Sequence, residues 1–181
     1  TYGVPAFTSH LELLSSVRPD VVHVCTPHAE HAHIAIDALH AGVHVLLEKP
    51  LAHDLAHGKA LIEAANSSGA TLGVCFQNRY NPTSVALRAV LEEQKYGQVL
   101  GARAQVMWTR TVEYYKAKPW RGTWAGSGGG LMMNQAVHTV DLVQWLLGRV
   151  QNVCGSASTL LFSDTIEVED TAAAVFEHAR G

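Results

Sequence analysis

The chain has 181 residues, of which 48% are hydrophobic and 16% charged, a balance typical of a compact globular protein rather than a disordered one. Thirteen Lys and Arg residues against sixteen Asp and Glu residues give a net charge of −3, and no dense basic block offers contacts to nucleic-acid phosphates. The apolar runs are far shorter than the roughly 20 residues of a membrane helix, and the opening TYGVPAF lacks the pattern of a secretion signal. We therefore expect a cytoplasmic protein that binds neither nucleic acid nor membrane.

The first part of the chain alternates between helix and strand patterns. Ser9 and Glu12 have the spacing of a capping box and begin the first predicted helix. Helices are predicted over 9–17, 29–40 and 55–65, and strands over 21–25, 43–47 and 71–76. Short loops and strands that are apolar on both faces are typical of a parallel sheet with crossover helices. Residues 1–77 are therefore predicted to form an α/β domain, a partial Rossmann doubly wound parallel sheet.

After residue 77 the pattern changes. Helices are predicted over 82–93 and 131–147, and strands over 100–111, 153–162 and 171–176. The alternation of apolar and polar residues in 100–111 is typical of a sheet with one face in water. Residues 78–181 are therefore predicted to form a second α/β domain with an open, mainly antiparallel sheet.

The triplet Glu48–Pro50 ends the second strand of the parallel sheet on two opposite charges and a proline. Ligands of such sheets bind beyond the carboxyl ends of the strands, and Thr26–Pro27 ends the neighbouring strand at the same edge. Lys49 could hold a substrate hydroxyl there and share in moving its proton. Its proline neighbour also permits a cis peptide bond. The residues alone leave open a second interpretation, an ordinary exposed Glu–Lys pair.

The stretch GGGLMMNQAVHTVDLVQWLLG, residues 128–148, combines glycines with an apolar helix that carries polar groups. Asn134, His138 and Asp141 have i, i+4 and i+7 spacing, which predicts one polar stripe on that helix. His138 could exchange a proton near neutral pH, as the oxidation of an alcohol requires. It could equally be a satisfied core histidine. The glycines predict a close approach of the backbone to a ligand or a neighbouring element.

Eleven histidines raise the question of a metal site, above all in HAEHAH, residues 28–33. His28 and His31 share one face of the predicted helix, but His33 points elsewhere, and no cysteine or carboxylate completes a known ligand spacing. The three cysteines form no CxxC pair. We therefore predict no metal site and reduced cysteines.

Taken together, these stretches resemble the Gfo/Idh/MocA family, that is, glucose–fructose oxidoreductase, inositol dehydrogenase and their relatives. The matching segments are YGVPAF, VVHVCTPHAEHAHIAIDALHAGVHVLLEKPLA, GVCFQNRYNP and WRGTWAGSGGGLMMNQAVHTVDLVQWLLG. The resemblance implies hydride transfer between a hydroxyl of a small sugar or cyclitol and NAD or NADP. It also implies a homo-oligomer that associates through the C-terminal sheet.

The resemblance further assigns roles to individual residues. Lys49 and His138 would hold and transfer the proton of the substrate hydroxyl. Both side chains would therefore have to lie in one cleft. Asn134 stands where many members have Asp, and an amide can hold a hydroxyl but cannot take its proton. The residues expected along the cofactor or near the substrate are Thr26, Pro27, His31, Glu48, Lys49, Pro50, Arg79, Trp120 and Arg121.

The family's opening strand and its GxGxxG turn have no counterpart in the sequence from Thr1 onward. We therefore expect a fragment that binds cofactor poorly and is inactive by itself, although the parent protein is active. Two other functions stay open at this point. One is a non-catalytic regulator that senses nucleotide with the same fold, and the other is a glycosidase that uses NAD.

Overall fold

A computed structural model describes residues 3–179, and the described chain divides into two compact units between Cys75 and Phe76. The elements of the first unit are α1 (His10–Val17), β1 (Val21–Val24), α2 (His28–His40), β2 (His44–Leu47), α3 (Leu55–Ser68) and β3 (Leu72–Val74). Each element has the type predicted for its segment, with ends that differ by at most three residues. Ser9 stands at the N-cap of α1, although its side chain makes no capping hydrogen bond.

The three strands of the first unit form a parallel sheet in the order β1, β2, β3. The register pairs Val24 with Leu47 and Leu47 with Val74, so the three strands end level with one another. α2 packs on β1 and β2 and against α3. Parallel strands that follow one another in the sheet and are connected by helices confirm the predicted partial Rossmann sheet.

One face of the parallel sheet carries the core of the first unit. Val24, Val45 and Leu47 are buried on it against Leu39 of α2 and Leu61 of α3. Burying a leucine side chain of this kind stabilises the fold by about 1.5–3 kcal/mol. The opposite face carries the alternate residues of each strand and is exposed among the described residues.

The described part of the second unit, residues 76–179, contains two 3-10 turns, four α-helices, a short π-helical turn and two strands. Its elements are the 3-10 turns Gln77–Tyr80 and Pro119–Gly122, α4 (Pro82–Glu92), α5 (Val112–Ala117), α6 (Trp124–Ser127), the π-helical turn Met132–Ala136, α7 (Val137–Leu147), β4 (Val150–Ser158) and β5 (Thr171–His178). β4 and β5 pair antiparallel, as predicted for this domain. A small core forms around Tyr115, Ile166 and Val168.

The strand predicted over 100–111 is wrong, because the structure describes neither a helix nor a strand between residues 97 and 111. Residues 97–107 instead line a cavity of about 1210 Å³ in the second unit, together with residues of α7 and β5. A segment of alternating polarity becomes a strand only when the backbone of a neighbouring strand pairs with its N–H and C=O groups. Here part of the segment faces the cavity instead. Among residues 3–179, no helix has the length and hydropathy needed to cross a bilayer.

Asp170 closes the loop between β4 and β5 through its carboxylate. The carboxylate accepts hydrogen bonds from the backbone N–H groups of Leu160, Leu161 and Phe162 and from the Thr171 hydroxyl, at 2.8–3.0 Å. Burial alone would raise the pKa of Asp170, but these bonds to the charged form lower it below the usual value.

The low pKa of Asp170 predicts a loss of stability in acid. Because the folded pKa lies below the unfolded value of about 3.9, the contribution is complete above about pH 4 and is lost as the pH falls through the folded pKa. Asp170→Asn should be less stable than the native chain at pH 7 and should lose less stability on acidification. Urea unfolding followed by tryptophan fluorescence checks this, since all four tryptophans lie after Phe76. Asp164→Asn, in the same loop, is the control, and an equal acid dependence in both variants would contradict the prediction.

Candidate functional site

The loops that follow β1 and β2 lie side by side at the carboxyl edge of the parallel sheet. Thr26 and Pro27 connect β1 to α2, and residues 48–50 follow β2. Glu48 and Lys49 are half-buried, Pro50 is buried, and the Lys49–Pro50 peptide bond is cis, as the sequence permits. The structure thus brings the predicted residues of the first unit to one edge.

His31 joins these two loops from inside the protein. Its imidazole is 1% exposed, with Nδ1 at 2.8 Å from the carbonyl oxygen of Pro50 and Nε2 at 2.9 Å from that of Thr26. Both partners are acceptors, so a neutral ring donates to one of them and a protonated ring donates to both. The family resemblance implies a place along the cofactor for His31, which stays a prediction, and the geometry shows that its ring bonds the backbones of both loops.

Thr26 carries a buried hydroxyl that lacks a hydrogen-bond partner among the described residues. Buried hydroxyls are normally satisfied, so a polar group of a ligand placed here would complete the hydrogen bonding of this oxygen. A dinucleotide offers ribose hydroxyls, phosphates and a carboxamide. The residues present at this edge therefore fit a nicotinamide cofactor.

The structure is helical over the predicted range 131–147, but Met132–Ala136 forms a π-helical turn within it, before α7. Such turns occur mostly as single turns next to α-helices, often at functional sites. Asn134 lies in this turn, whereas His138 and Asp141 lie on α7. The regular i, i+4 spacing predicted between Asn134 and His138 is therefore interrupted by the wider turn.

Asn134 holds the glycine-rich segment in front of the helix. Its Nδ2 donates to Ser127 Oγ at 2.8 Å and to the carbonyl oxygen of Gly129 at 3.4 Å. Ser127 is fully buried, and its hydroxyl donates to the same carbonyl oxygen at 2.6 Å. An aspartate could not donate to either oxygen, which gives a structural reason for an amide at this position.

Glu169 was missed by the sequence reasoning, yet it organises the same segment. Its buried carboxylate accepts from the backbone N–H groups of Gly130 and Met132, both at 2.9 Å, and its carbonyl oxygen accepts from Leu131 at 2.8 Å. A Cβ at Gly130 would overlap the backbone of Glu169, so the predicted close approach to a neighbouring element is confirmed here. The only sequence signal was a charge beside the apolar Val168.

Asp141 and Arg79 form a bidentate ion pair within the second unit. Arg79 Nε donates to Asp141 Oδ2 at 2.8 Å, and the second guanidinium nitrogen donates to Oδ1. The hydrogen bonds to Asp141 raise the pKa of Arg79. Asp141 is therefore a structural partner of Arg79 rather than a proton carrier, and the guanidinium proposed for the cofactor is already held by a carboxylate.

The remaining candidates of the second unit lie among aromatic side chains. The imidazole of His138 is buried and meets the Phe76 ring edge-on, with ring centroids 6.3 Å apart. The guanidinium of Arg121 stacks on the rings of Tyr114 and Trp120, at 4.4 and 5.5 Å from their centroids. Whether Lys49 and His138 share a cleft stays a prediction, as do the assigned roles of all these residues.

Comparison with known proteins also divides the chain into two parts, which meet within a few residues of the boundary between the structural units. Residues 1–76 match the model described as "Oxidoreductase family, NAD-binding Rossmann fold", and residues 84–181 match the GFO/IDH/MocA C-terminal domain.

Individual relatives are dehydrogenases. The chain is 30% identical over 139 residues to levoglucosan dehydrogenase of Pseudarthrobacter phenanthrenivorans, covering 77% of this chain and 36% of that protein. It is 31% identical over 139 residues to D-glucoside 3-dehydrogenase of Escherichia coli, covering 75% and 38%.

Among solved structures, the WlbA dehydrogenase of Bordetella pertussis, in complex with NADH and UDP-GlcNAcA, superimposes with a TM-score of 0.94 at 37% identity. The match covers 99% of this chain and 51% of that one. The chain therefore spans between 36% and 51% of the length of these relatives. It belongs to the GFO/IDH/MocA oxidoreductase family and carries that family's NAD-binding Rossmann domain and C-terminal domain.

Proposed function

We propose that the whole protein oxidises or reduces a hydroxyl of a sugar with NAD as the hydride carrier. The observation that carries this proposal is the carboxyl edge of the parallel sheet, where an unsatisfied Thr26 hydroxyl lies in the loop next to the one that bears Lys49. The relatives that match the chain act on levoglucosan and on D-glucosides according to their names, which supports a sugar substrate.

A nucleotide-linked sugar is our first choice of substrate. The WlbA dehydrogenase, at a TM-score of 0.94, was crystallised with UDP-GlcNAcA as well as NADH. NADH in that complex also favours NAD over NADP for this chain. A free sugar or cyclitol is the alternative class.

NAD held at this edge would supply the hydride acceptor or donor for the carbon that bears the hydroxyl. The ammonium group of Lys49 would hold the hydroxyl oxygen and His138 would take or return its proton. Asn134, whose Nδ2 donates to Ser127 and Gly129, would position the helix rather than accept a proton. Thr26 and Pro27 would hold the cofactor.

The test is a substrate panel for the whole protein that contains this chain. UDP-GlcNAcA, other UDP-sugars, free hexoses and inositol are each incubated with NAD⁺ or NADP⁺, and the absorbance of the reduced nicotinamide is followed. We expect reduced nicotinamide to accumulate with UDP-GlcNAcA and NAD⁺, and to stay at background in Lys49→Ala. Lys59→Ala, on the exposed face of α3, is the matched control and should behave like the native protein.

Other outcomes would contradict the proposal. Cleavage of a glycoside without net accumulation of reduced nicotinamide would indicate a glycosidase that uses NAD. Saturable NAD binding with no turnover of any tested sugar would indicate a nucleotide sensor. Equal activity of Lys49→Ala and the native protein would remove Lys49 from the reaction.

A further inference from the structure

The exposed face of the parallel sheet carries an unusual set of side chains at its carboxyl edge. Because Val24, Leu47 and Val74 are in register, the next residues along the three strands, Cys25, Glu48 and Cys75, stand in one row. His23 projects from the same face of β1, two residues before Cys25. Two thiols, a carboxylate and an imidazole therefore share one end of this face.

Three of these groups lie close enough together to be candidate ligands of one ion. His23 Nε2 lies 3.8 Å from Cys75 Sγ and 3.9 Å from Glu48 Oε1, and the three donor atoms all lie within 4.8 Å of one another. A tetrahedral Zn²⁺ with bonds of about 2.0–2.3 Å places its nitrogen, sulfur and oxygen ligands roughly 3.3–3.6 Å apart. Rotation of the three side chains would have to shorten these distances to close the site around a cation.

The electrostatics of this cluster also favour a cation. The Glu48 carboxylate lies among the donor atoms, so a dication bound there would be balanced by this carboxylate and a Cys75 thiolate together. All three cysteines are free in the structure.

We propose that His23, Glu48 and Cys75 form a binding site for a borderline-soft divalent cation, Zn²⁺ in the first place, on the exposed face of the sheet. Binding deprotonates the Cys75 thiol, whose proton is released to solvent, and involves no change of oxidation state. Cys25, next to Glu48 in the row, is placed to supply a fourth ligand. This proposal differs from the expectation drawn from the sequence, which was that the chain has no metal site. The main candidate there was the HAEHAH segment, residues 28–33, and not the strand ends.

A second cluster, His53, Asp54 and His57, is the natural competitor, and its chemistry is already used. Asp54 caps α3 by accepting from the backbone N–H of His57 at 2.8 Å, and its other oxygen lies 2.7 Å from His57 Nδ1. A cation there would disrupt this cap and would lie at the positive end of the helix dipole. A cation at His23, Glu48 and Cys75 would neither break a helix cap nor lie at the positive end of a helix dipole.

The test is a titration of the reduced 181-residue chain with Co²⁺ under argon, followed by displacement with Zn²⁺. We expect saturable 1:1 binding with a thiolate-to-cobalt charge-transfer band, which Zn²⁺ removes. Cys75→Ser should lose the band, and His23→Ala and Glu48→Gln should each weaken binding by at least about 10-fold, the loss that even outer-shell changes cause at metal sites. Unchanged circular dichroism spectra establish that these variants are folded.

Two controls make the result specific. Cys154→Ser, on β4 of the second unit, and the double variant His53→Ala/His57→Ala should keep both the band and the affinity. The proposal is overturned if the band survives in Cys75→Ser, if it disappears in either control, or if the native chain shows no saturable binding.

Discussion

Gly130→Ala is expected to destabilise the second unit by about 3–5 kcal/mol, the largest loss we foresee for a single methyl group in this chain. The added Cβ would overlap the carbonyl oxygen of Glu169 and approach its carbonyl carbon and nitrogen. These atoms belong to backbone, so no side-chain rotation relieves the overlap. Separation of the two segments would break the hydrogen bonds that Glu169 accepts from Gly130, Leu131 and Met132.

Urea unfolding followed by tryptophan fluorescence measures this loss, because Trp108, Trp120, Trp124 and Trp145 all belong to the second unit. Gly101→Ala is the matched control. A Cβ at Gly101 would meet nothing within 4 Å, and its backbone does not adopt a positive φ. Its expected change is within about 0.5 kcal/mol. Similar midpoints for Gly130→Ala and Gly101→Ala would show that the Glu169 contact does not constrain the turn.

The contrast between Gly130 and Glu169 shows what the sequence could and could not predict. The three glycines at 128–130 predicted a close approach of the backbone to another segment, because glycine has no side chain to prevent it. The partner was beyond reach, since Glu169 lies 39 residues further along the chain and no local pattern links the two. Contacts between distant segments arise from tertiary packing, and a single sequence records them only weakly.

The same reasoning explains the elements. The strands of the first unit were predictable because each is an apolar run that ends at a turn signal, and a parallel sheet buries such runs. Residues 100–111 had an equally clear alternating pattern, yet the structure describes no strand there. A pattern of side chains specifies which face is apolar, whereas a strand also needs a backbone partner.

Within the candidate site, the motifs predicted which residues lie together at the sheet edge, but not which charged side chains are already paired. The triplet at 48–50 and Thr26 do meet at one edge, as the ends of neighbouring parallel strands must. Asp141 had the spacing of a polar stripe but is paired with Arg79. Spacing places a residue on a helix face, and only the surroundings decide whether its charge is already neutralised.

His31→Ala is expected to destabilise the first unit by about 2–4 kcal/mol and to release the two loops of the candidate site together. The substitution leaves a cavity where a ring that is 1% exposed was packed, and it removes the hydrogen bonding to the carbonyl oxygens of Thr26 and Pro50. A buried carbonyl that loses its donor costs about 1 kcal/mol or more. Since one imidazole bonds both loops, the two loops should lose their ordered backbone conformation together.

Hydrogen exchange of backbone amides is the suitable measurement for His31→Ala, because the first unit contains no tryptophan. Protection should fall in residues 24–31 and 47–52 by similar factors, beyond the general loss shown by β1 and β2. His33→Ala is the matched control, since that histidine lies two residues away on the same helix with its side chain 49% exposed. It should change stability by no more than about 0.5 kcal/mol. If only one loop loses protection in His31→Ala, the imidazole holds that loop alone, and the account of a shared anchor for Thr26 and Pro50 fails.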